Sequence, residues 1–147
     1  MTEDKLRRRC EEMLADDEQI VLDAECSVIQ SRLLIPSLGS GRAFLTRSRL
    51  IWIRRATPPI LRRMVFWNPK SIKMPLSEME SVQMIKTGFG AGFLQIFFEG
   101  KQYLYRLGKG PYPLLRHNRP TTLEWFRELQ DLIEFSLTKE AGGSNDG

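Results

Sequence analysis

The residues with the most evident chemistry are the cations of a long segment that contains no acid. Residues 27–77 hold no Asp or Glu, whereas nine of the eighteen acids of the chain lie at or before Glu25. Guanidinium and ammonium groups bind phosphate and carboxylate groups, and a surface rich in them attracts anions over a distance. The net charge of +4 therefore understates how strongly the middle of the chain favours an anionic partner.

The connection between residues 54 and 70 combines these cations with aromatic side chains. Near a membrane, each cation contributes about 1 kcal/mol of attraction to anionic lipid, and Trp and Phe favour the interfacial layer. Arg32, followed by the apolar residues 33–35, begins a second loop of similar character. The predicted lipid- or partner-binding residues are Arg32, Arg54, Arg55, Arg62, Arg63, Phe66, Trp67 and Lys70.

Two other interpretations of this connection stay open. Residues 64–67 can form an extra strand or flap over the core, with the arginines only facing solvent. The same apolar residues can also form a peptide groove or the seam of a homo-oligomer, which would make the chain a protein-interaction scaffold without lipid binding. Nucleic acid ranks below both partners, because no helix-turn-helix, zinc-knuckle or aromatic RNA-binding pattern occurs.

The sequence offers no arrangement for catalysis. His117 is the only histidine, and no Ser or Cys motif with a recognisable base accompanies it. Cys10 and Cys26 lack both a CxxC spacing and a neighbouring histidine, so neither a metal site nor a cofactor is predicted. The first residues lack a signal-peptide core, and no run reaches the roughly 20 apolar residues of a membrane-spanning helix. We expect a cytoplasmic, non-enzymatic protein with two reduced thiols.

Hydrophobic periodicity predicts the elements that position these residues. Apolar residues recur at helical spacing near both ends of the chain and alternate with polar ones between them. Thr121 and Glu124 form a capping box, which predicts that the last helix begins at Thr121. The predicted order is a helix over 3–15, a strand over 20–29, a loop over 32–41, a hairpin over 41–53, strands over 72–76, 81–86, 93–98 and 102–107, and a long amphipathic helix.

This order and its motifs resemble the PH-like superfold, and most of all its GRAM branch. The GRAM pattern is a glycine, alternating apolar residues, Leu-Thr, a short turn, and Arg-Leu-Ile followed by an aromatic residue. A second block runs from an apolar strand into Leu-Ser-acid and on to a valine, and a tryptophan-bearing helix closes the domain. The matching residues are Gly41, Phe44, Leu45, Thr46, Arg49, Leu50, Ile51, Trp52, Met74, Pro75, Leu76, Ser77, Glu78, Met79, Val82, Glu124, Trp125 and Phe126.

The resemblance implies a mainly β (α+β) fold. It is a PH-like antiparallel seven-stranded barrel or sandwich, capped by a C-terminal α-helix and preceded by a short N-terminal helix. The chain then divides into an N-terminal helical segment (1–19), a PH-like/GRAM domain (20–138) and a flexible tail (139–147). Leu45, Leu50 and Trp52 are expected in the core.

The resemblance also implies binding of lipid or protein without catalysis. In many PH-like folds the loops after the first and third strands lie at one open end of the barrel. Both basic loops can therefore face one membrane. The prediction is a peripheral module for anionic lipid, with the protein-interaction scaffold as the alternative.

Overall fold

Within the described residues, seven strands form one antiparallel sheet with a helix at each end of the chain. The computed structural model describes residues 3–30, 37–55, 71–86, 91–108 and 118–145. The elements are α1 (Glu3–Met13), β1 (Ile20–Gln30), β2 (Ser37–Thr46), β3 (Arg49–Arg54), β4 (Ser71–Pro75), a 3-10 turn (Leu76–Glu78), β5 (Met79–Lys86), β6 (Gly92–Phe98), β7 (Lys101–Leu107) and α2 (Arg119–Asn145).

The strands lie in the order β4-β3-β2-β1-β7-β6-β5. All seven strands contribute to one apolar core, six of them through alternate residues, and the core also receives Trp125 and Leu129 from α2. Seven strands can share one core only if the sheet curls around it, so the sheet has an inner and an outer face. This is the mainly β, helix-capped architecture that the sequence predicts.

The β2–β3 hairpin contributes the centre of this core. Leu45, Leu50 and Trp52 are at most 1% exposed, which confirms their predicted place. The indole Nε1 of Trp52 donates a hydrogen bond of 3.0 Å to the carbonyl oxygen of Cys26 on β1. The hairpin also explains the glycine of the GRAM-like pattern, since a Cβ at Gly41 would clash with the carbonyl oxygen of Ile53.

The outer face of the same hairpin is covered by α1. Leu6 and Cys10 of α1 are fully buried against Phe44, Ile51 and Ile53. These three residues alternate with the core residues of β2 and β3, so the hairpin buries apolar side chains on both faces. Burial raises the pKa of the Cys10 thiol to about 11, with a further contribution from Glu18. The thiol therefore stays protonated at neutral pH and packs as a small apolar group.

The start of α2 differs from the capping box that the sequence predicts. The helix begins at Arg119, so Thr121 lies inside its first turn. Asn118 fixes the start instead: its Oδ1 accepts a hydrogen bond of 2.8 Å from the amide of Gly92, and its Nδ2 donates one of 2.7 Å to the carbonyl oxygen of Leu107. The hydroxyl of Thr122 donates to the Asn118 carbonyl at 2.9 Å. Tertiary hydrogen bonds to β6 and β7 thus decide where the helix begins.

Two other boundaries differ from the sequence-based prediction. Residues 37–41, predicted as the end of a loop, belong to β2, because they pair with β1 from Ile29↔Ser37 to Cys26↔Gly41. Helix α2 continues to Asn145 and so enters the segment 139–147 that was predicted as a tail. The division into three segments stays a prediction.

Candidate functional site

The candidate basic loops leave the sheet at one end, which we call the loop end. Pairing places Gln30 beside Tyr103, Ile29 beside Ser37, and Ile53 beside Ser71. The amide of Arg55 donates a hydrogen bond of 2.9 Å to the carbonyl oxygen of Ser40, which ties the end of β3 to the start of β2. The start of α2 is fixed at the opposite ends of β6 and β7, so the loop end and the helix lie apart.

Two of the eight predicted site residues lie within the described structure. Arg54 is the last residue of β3, and Arg55 follows it directly. Both are half-buried. The other predicted site residues, for which the role stays a prediction, lie outside the described residues: Arg32, Arg62, Arg63, Phe66, Trp67 and Lys70.

Arg54 and Arg55 do not form one pair of neighbouring charges. By the alternation of β3, Arg54 follows Leu50 and Trp52 on the inner side of the sheet, at the loop end. Arg55 lies on the outer side, where its Nη2 donates to Oε1 of Glu25 on β1 at 2.7 Å. The sequence places the two cations side by side, whereas the strand sends them to opposite faces.

Three arginines of the acid-free segment form ion pairs with acidic residues from the first part of the chain. Arg42 binds Oδ2 of Asp23 through Nε at 3.3 Å and Nη2 at 3.1 Å, and its Nη1 lies 3.6 Å from Oε1 of Glu3. Arg49 pairs with Glu18, and Arg55 pairs with Glu25. The fold therefore neutralises much of the charge separation that the sequence displays. Exposed cations of this segment include Arg47 and Lys73.

The pair of Glu18 and Arg49 is the most deeply placed of these contacts. Arg49 donates through Nε to Oε2 of Glu18 at 3.0 Å and through Nη2 to Oε1 at 2.6 Å, while the hydroxyl of Thr46 also donates to Oε2 at 2.7 Å. The Glu18 side chain is only 8% exposed. The hydrogen bonds from Arg49, more than any other cause, lower the pKa of Glu18 from 4.5 to about 2. This network attaches the segment after α1 to the β2–β3 turn.

The sheet brings two residues that the sequence does not predict as site residues into the neighbourhood of Arg55. Glu25 is the partner of Arg55, thirty positions away in the chain. Arg106 is not among the predicted site residues; it lies within β7 and is half-buried. The signal for Arg106 is the alternation of Tyr103, Tyr105 and Leu107, which turns the intervening residues outward.

The described residues contain two buried free thiols and no group that could hold a metal. Cys10 and Cys26 are both buried and free, and burial raises the pKa of Cys26 far above its usual range. Across residues 3–30, 37–55, 71–86, 91–108 and 118–145, no three His, Cys, Asp or Glu side chains form a cluster suited to a metal ion. His117 lies outside these ranges. None of the helices in the described parts of the chain is long and apolar enough to cross a membrane.

Comparison with solved structures decides the fold. The N-terminal PH domain of Vps36 superposes with a TM-score of 0.53 and 17% identity, over 82% of this chain and 86% of that one. The Slm1 PH domain in complex with phosphoserine gives a TM-score of 0.52 and 15% identity, over 78% and 96%. The fold is PH-like.

A third similar structure is not named as a PH domain. The hSac2 domain from the human phosphoinositide phosphatase Sac2 gives a TM-score of 0.56 and 14% identity, over 90% of this chain and 81% of that one. No protein-family model matches the sequence, and comparison with curated proteins finds no match. Identities this low support a shared fold and leave function to be argued from the residues.

Proposed function

We propose that this chain is a non-catalytic PH-like module of the GRAM type that associates peripherally with anionic membrane lipid. The proposal includes a cytoplasmic location and binding without a cofactor. The observation that carries it is the position of Arg54 at the loop end, where the connections 31–36 and 56–70 begin and end. Those connections contain the basic and aromatic residues that the sequence predicts for lipid contact.

Two further observations support this proposal. The helix α2 lies away from the loop end, so it leaves that end of the sheet to the connections. The Slm1 PH domain, whose fold is similar, was crystallised with phosphoserine, a small anionic phosphate ester. A phosphate-bearing partner for this chain agrees with the cations at its loop end.

Vesicle flotation tests the proposal with a matched pair of variants. Arg54→Glu reverses one charge at the loop end, and Arg127→Glu makes the same change at an exposed position on α2. Because each cation near the surface contributes about 1 kcal/mol, the reversal of Arg54 should weaken binding to anionic vesicles by roughly 30-fold. Arg127→Glu should change binding by no more than about twofold, and neutral vesicles should bind neither protein.

Equal loss of binding in the two variants, or no flotation of the unmodified chain with anionic vesicles, would contradict the proposal. Circular dichroism on both variants checks that the fold is retained. Reversal of Arg62 and Arg63 extends the test to the predicted residues of the 56–70 connection.

A protein partner is the second candidate, and one observation favours it. The outer face of β6 and β7 carries Phe93, Phe97 and Leu104, which are half-buried and belong to neither of the two apolar clusters. Their accessible parts can contribute to an interface with a protein partner. A stable dimer in light scattering, dissociated by Phe97→Asp but not by Arg54→Glu, would favour this candidate over lipid.

A further inference from the structure

A row of four polar residues crosses the outer face of the sheet. Ser27 on β1 pairs with Ser40 on β2 and, on its other side, with Arg106 on β7. Arg55 extends the row, because its amide donates to the carbonyl oxygen of Ser40 at 2.9 Å. The row therefore reads Arg106, Ser27, Ser40, Arg55, with two hydroxyls between two guanidinium groups.

All four residues belong to the outer face. Cys26 and Val28 flank Ser27 and point into the core, as do Tyr105 and Leu107 on either side of Arg106. Ser40 shares its face with Arg42 and Phe44, and Arg55 shares its face with Ile51 and Ile53. With neighbouring strands about 4.8 Å apart, the Cα atoms of the two arginines are about 14 Å apart. Two extended arginine side chains that reach toward each other can cover that span.

Arg55 has a donor that makes no hydrogen bond within the described part of the chain. Its Nη2 donates to Oε1 of Glu25, but its Nε is buried and has no hydrogen-bond partner among the described residues. A buried donor without an acceptor is uncommon in a folded protein and calls for an explanation. The Nε and Nη2 of a guanidinium form a fork that suits two oxygens of one anion. Because Nη2 of Arg55 already donates to Glu25, an anion bound at Nε shares this fork with that carboxylate.

We propose that this row is a binding site for a phosphomonoester. The phosphate lies over Ser27 and Ser40 and accepts hydrogen bonds from their hydroxyls and from the guanidinium groups of Arg55 and Arg106. Glu25 holds Arg55 in place and competes with the ligand for it. The site is on the outer wall of the barrel rather than between the loops at the loop end, and it does not depend on the membrane proposal.

The charge around the row favours an anion. Among the described residues, two cations and one acid, Glu25, surround the two serines, while the nearby acid Asp23 is already bound by Arg42 at 3.1 Å. The local formal charge is thus positive before a ligand arrives. A dianionic phosphate offers more oxygens than a carboxylate and matches both arginines at once.

Titration with inorganic phosphate tests the site directly. The arginine Nε–Hε signals are followed by NMR at neutral pH, with ionic strength held constant by chloride. Saturable shifts are expected for Arg55 and Arg106, while the signal of Arg127 on α2 stays unchanged. Shifts that do not saturate, or that are equal for all arginines, would overturn the proposal.

Two variants give opposite expected effects on the same readout. Arg106→Gln removes one charged donor and should weaken phosphate binding, read at Arg55, by about tenfold. Glu25→Gln removes the competing carboxylate and should tighten binding by about threefold or more. An unchanged affinity in Arg106→Gln, or weaker binding in Glu25→Gln with the fold retained, contradicts the site.

Vesicles distinguish a lipid headgroup from a soluble phosphate ester. Phosphatidic acid presents a phosphomonoester, whereas phosphatidylglycerol at equal surface charge presents only a phosphodiester. A preference for phosphatidic acid that Arg106→Gln abolishes assigns the site to lipid. Phosphate binding without a preference for phosphatidic acid assigns the site to a soluble phosphate ester. Phosphate binding by a protein that binds no vesicles contradicts the membrane proposal and leaves the outer-face site in place. Vesicle binding without a specific phosphate response removes only the outer-face site.

Discussion

The two faces of the β2–β3 hairpin are both buried, but by different means. On the inner face, Leu45, Leu50 and Trp52 belong to one apolar core to which all seven strands and α2 contribute. On the outer face, Phe44 and Ile51 are covered by α1, a helix of 11 residues. A helix this short is marginal in isolation, so its position depends on the contacts that it makes with the sheet.

The two faces of the hairpin also differ in their polar contacts. The outer face is bordered by ion pairs, with Arg42 and Arg49 of the hairpin bound to Asp23 and Glu18. On the inner face, Trp52 makes a neutral hydrogen bond to the carbonyl oxygen of Cys26, and the cation on that side of β3, Arg54, lies at the loop end. Changes of pH and salt should therefore act on the attachment of α1 before they act on the barrel core.

Replacement of Trp52 on the inner face should give the largest loss in the free energy of unfolding. Trp52→Ala leaves a cavity at the centre of the core and should lower the free energy of unfolding by about 3–5 kcal/mol. The loss should be global, because Trp52 belongs to the core to which all seven strands and α2 contribute. Urea unfolding followed by circular dichroism measures it.

Trp52→Phe is the more conservative comparison. It retains an aromatic ring but removes the hydrogen bond of 3.0 Å to the Cys26 carbonyl, at an expected loss of about 1–3 kcal/mol. A loss below 1 kcal/mol for Trp52→Ala would mean that the inner face is not the main source of stability.

The sequence predicts the fold well because most of the strands are encoded by local signals. Strand alternation and turn residues are local signals, and they locate all seven strands to within a few residues. The GRAM-like motif places Leu50 and Trp52 in the core, where the structure has them. The predicted start of α2 was wrong, because Asn118 fixes it through hydrogen bonds to β6 and β7. A local capping pattern in the sequence carries no information about such tertiary contacts.

The candidate site is less predictable for the same physical reason. Arg42, Arg49 and Arg55 bind acids that lie 19, 31 and 30 positions away, so their pairing is a property of the folded sheet. The sequence shows a long basic segment but not which of its charges the N-terminal acids neutralise. The row that joins Arg106 to Arg55 depends equally on strand order. The predicted residues in the 56–70 connection remain predictions.

Replacement of Glu18 should have an intermediate effect that depends on pH. The folded-state pKa of Glu18 is lowered from 4.5 to about 2, so the ionised pair stabilises the protein fully above pH 4.5 and less as the pH falls toward 2. A shift of this size corresponds to about 3 kcal/mol as an upper value. Glu18→Gln should therefore lower the free energy of unfolding by roughly 2–3 kcal/mol at pH 7.

The difference between Glu18→Gln and the unmodified protein should shrink steadily between pH 4.5 and 2. Glu12→Gln, the same change at an exposed position of α1, should change stability by less than about 0.5 kcal/mol and serves as the control. Urea unfolding at several pH values measures both. A difference that is constant over this pH range would mean that the carboxylate charge is not what attaches the segment after α1 to the hairpin.

Removal of Arg7 should have the smallest effect, although this residue makes two ion pairs. Arg7 lies 3.3 Å from Glu11 and 3.2 Å from Asp23, but its side chain is 50% exposed, so solvent screens both contacts. Arg7→Ala should change the free energy of unfolding by less than about 1 kcal/mol, and the effect should fall further in 0.5 M salt, where the Debye length is only about 4 Å. Arg8→Ala on the same helix is the control for lost charge, and urea unfolding at low and high salt gives the comparison. If Arg7→Ala instead lowered the free energy of unfolding as much as Glu18→Gln, exposed ion pairs rather than the burial of Leu6 and Cys10 would hold α1 on the outer face. The inner face would then be held by packing and the outer face by charge.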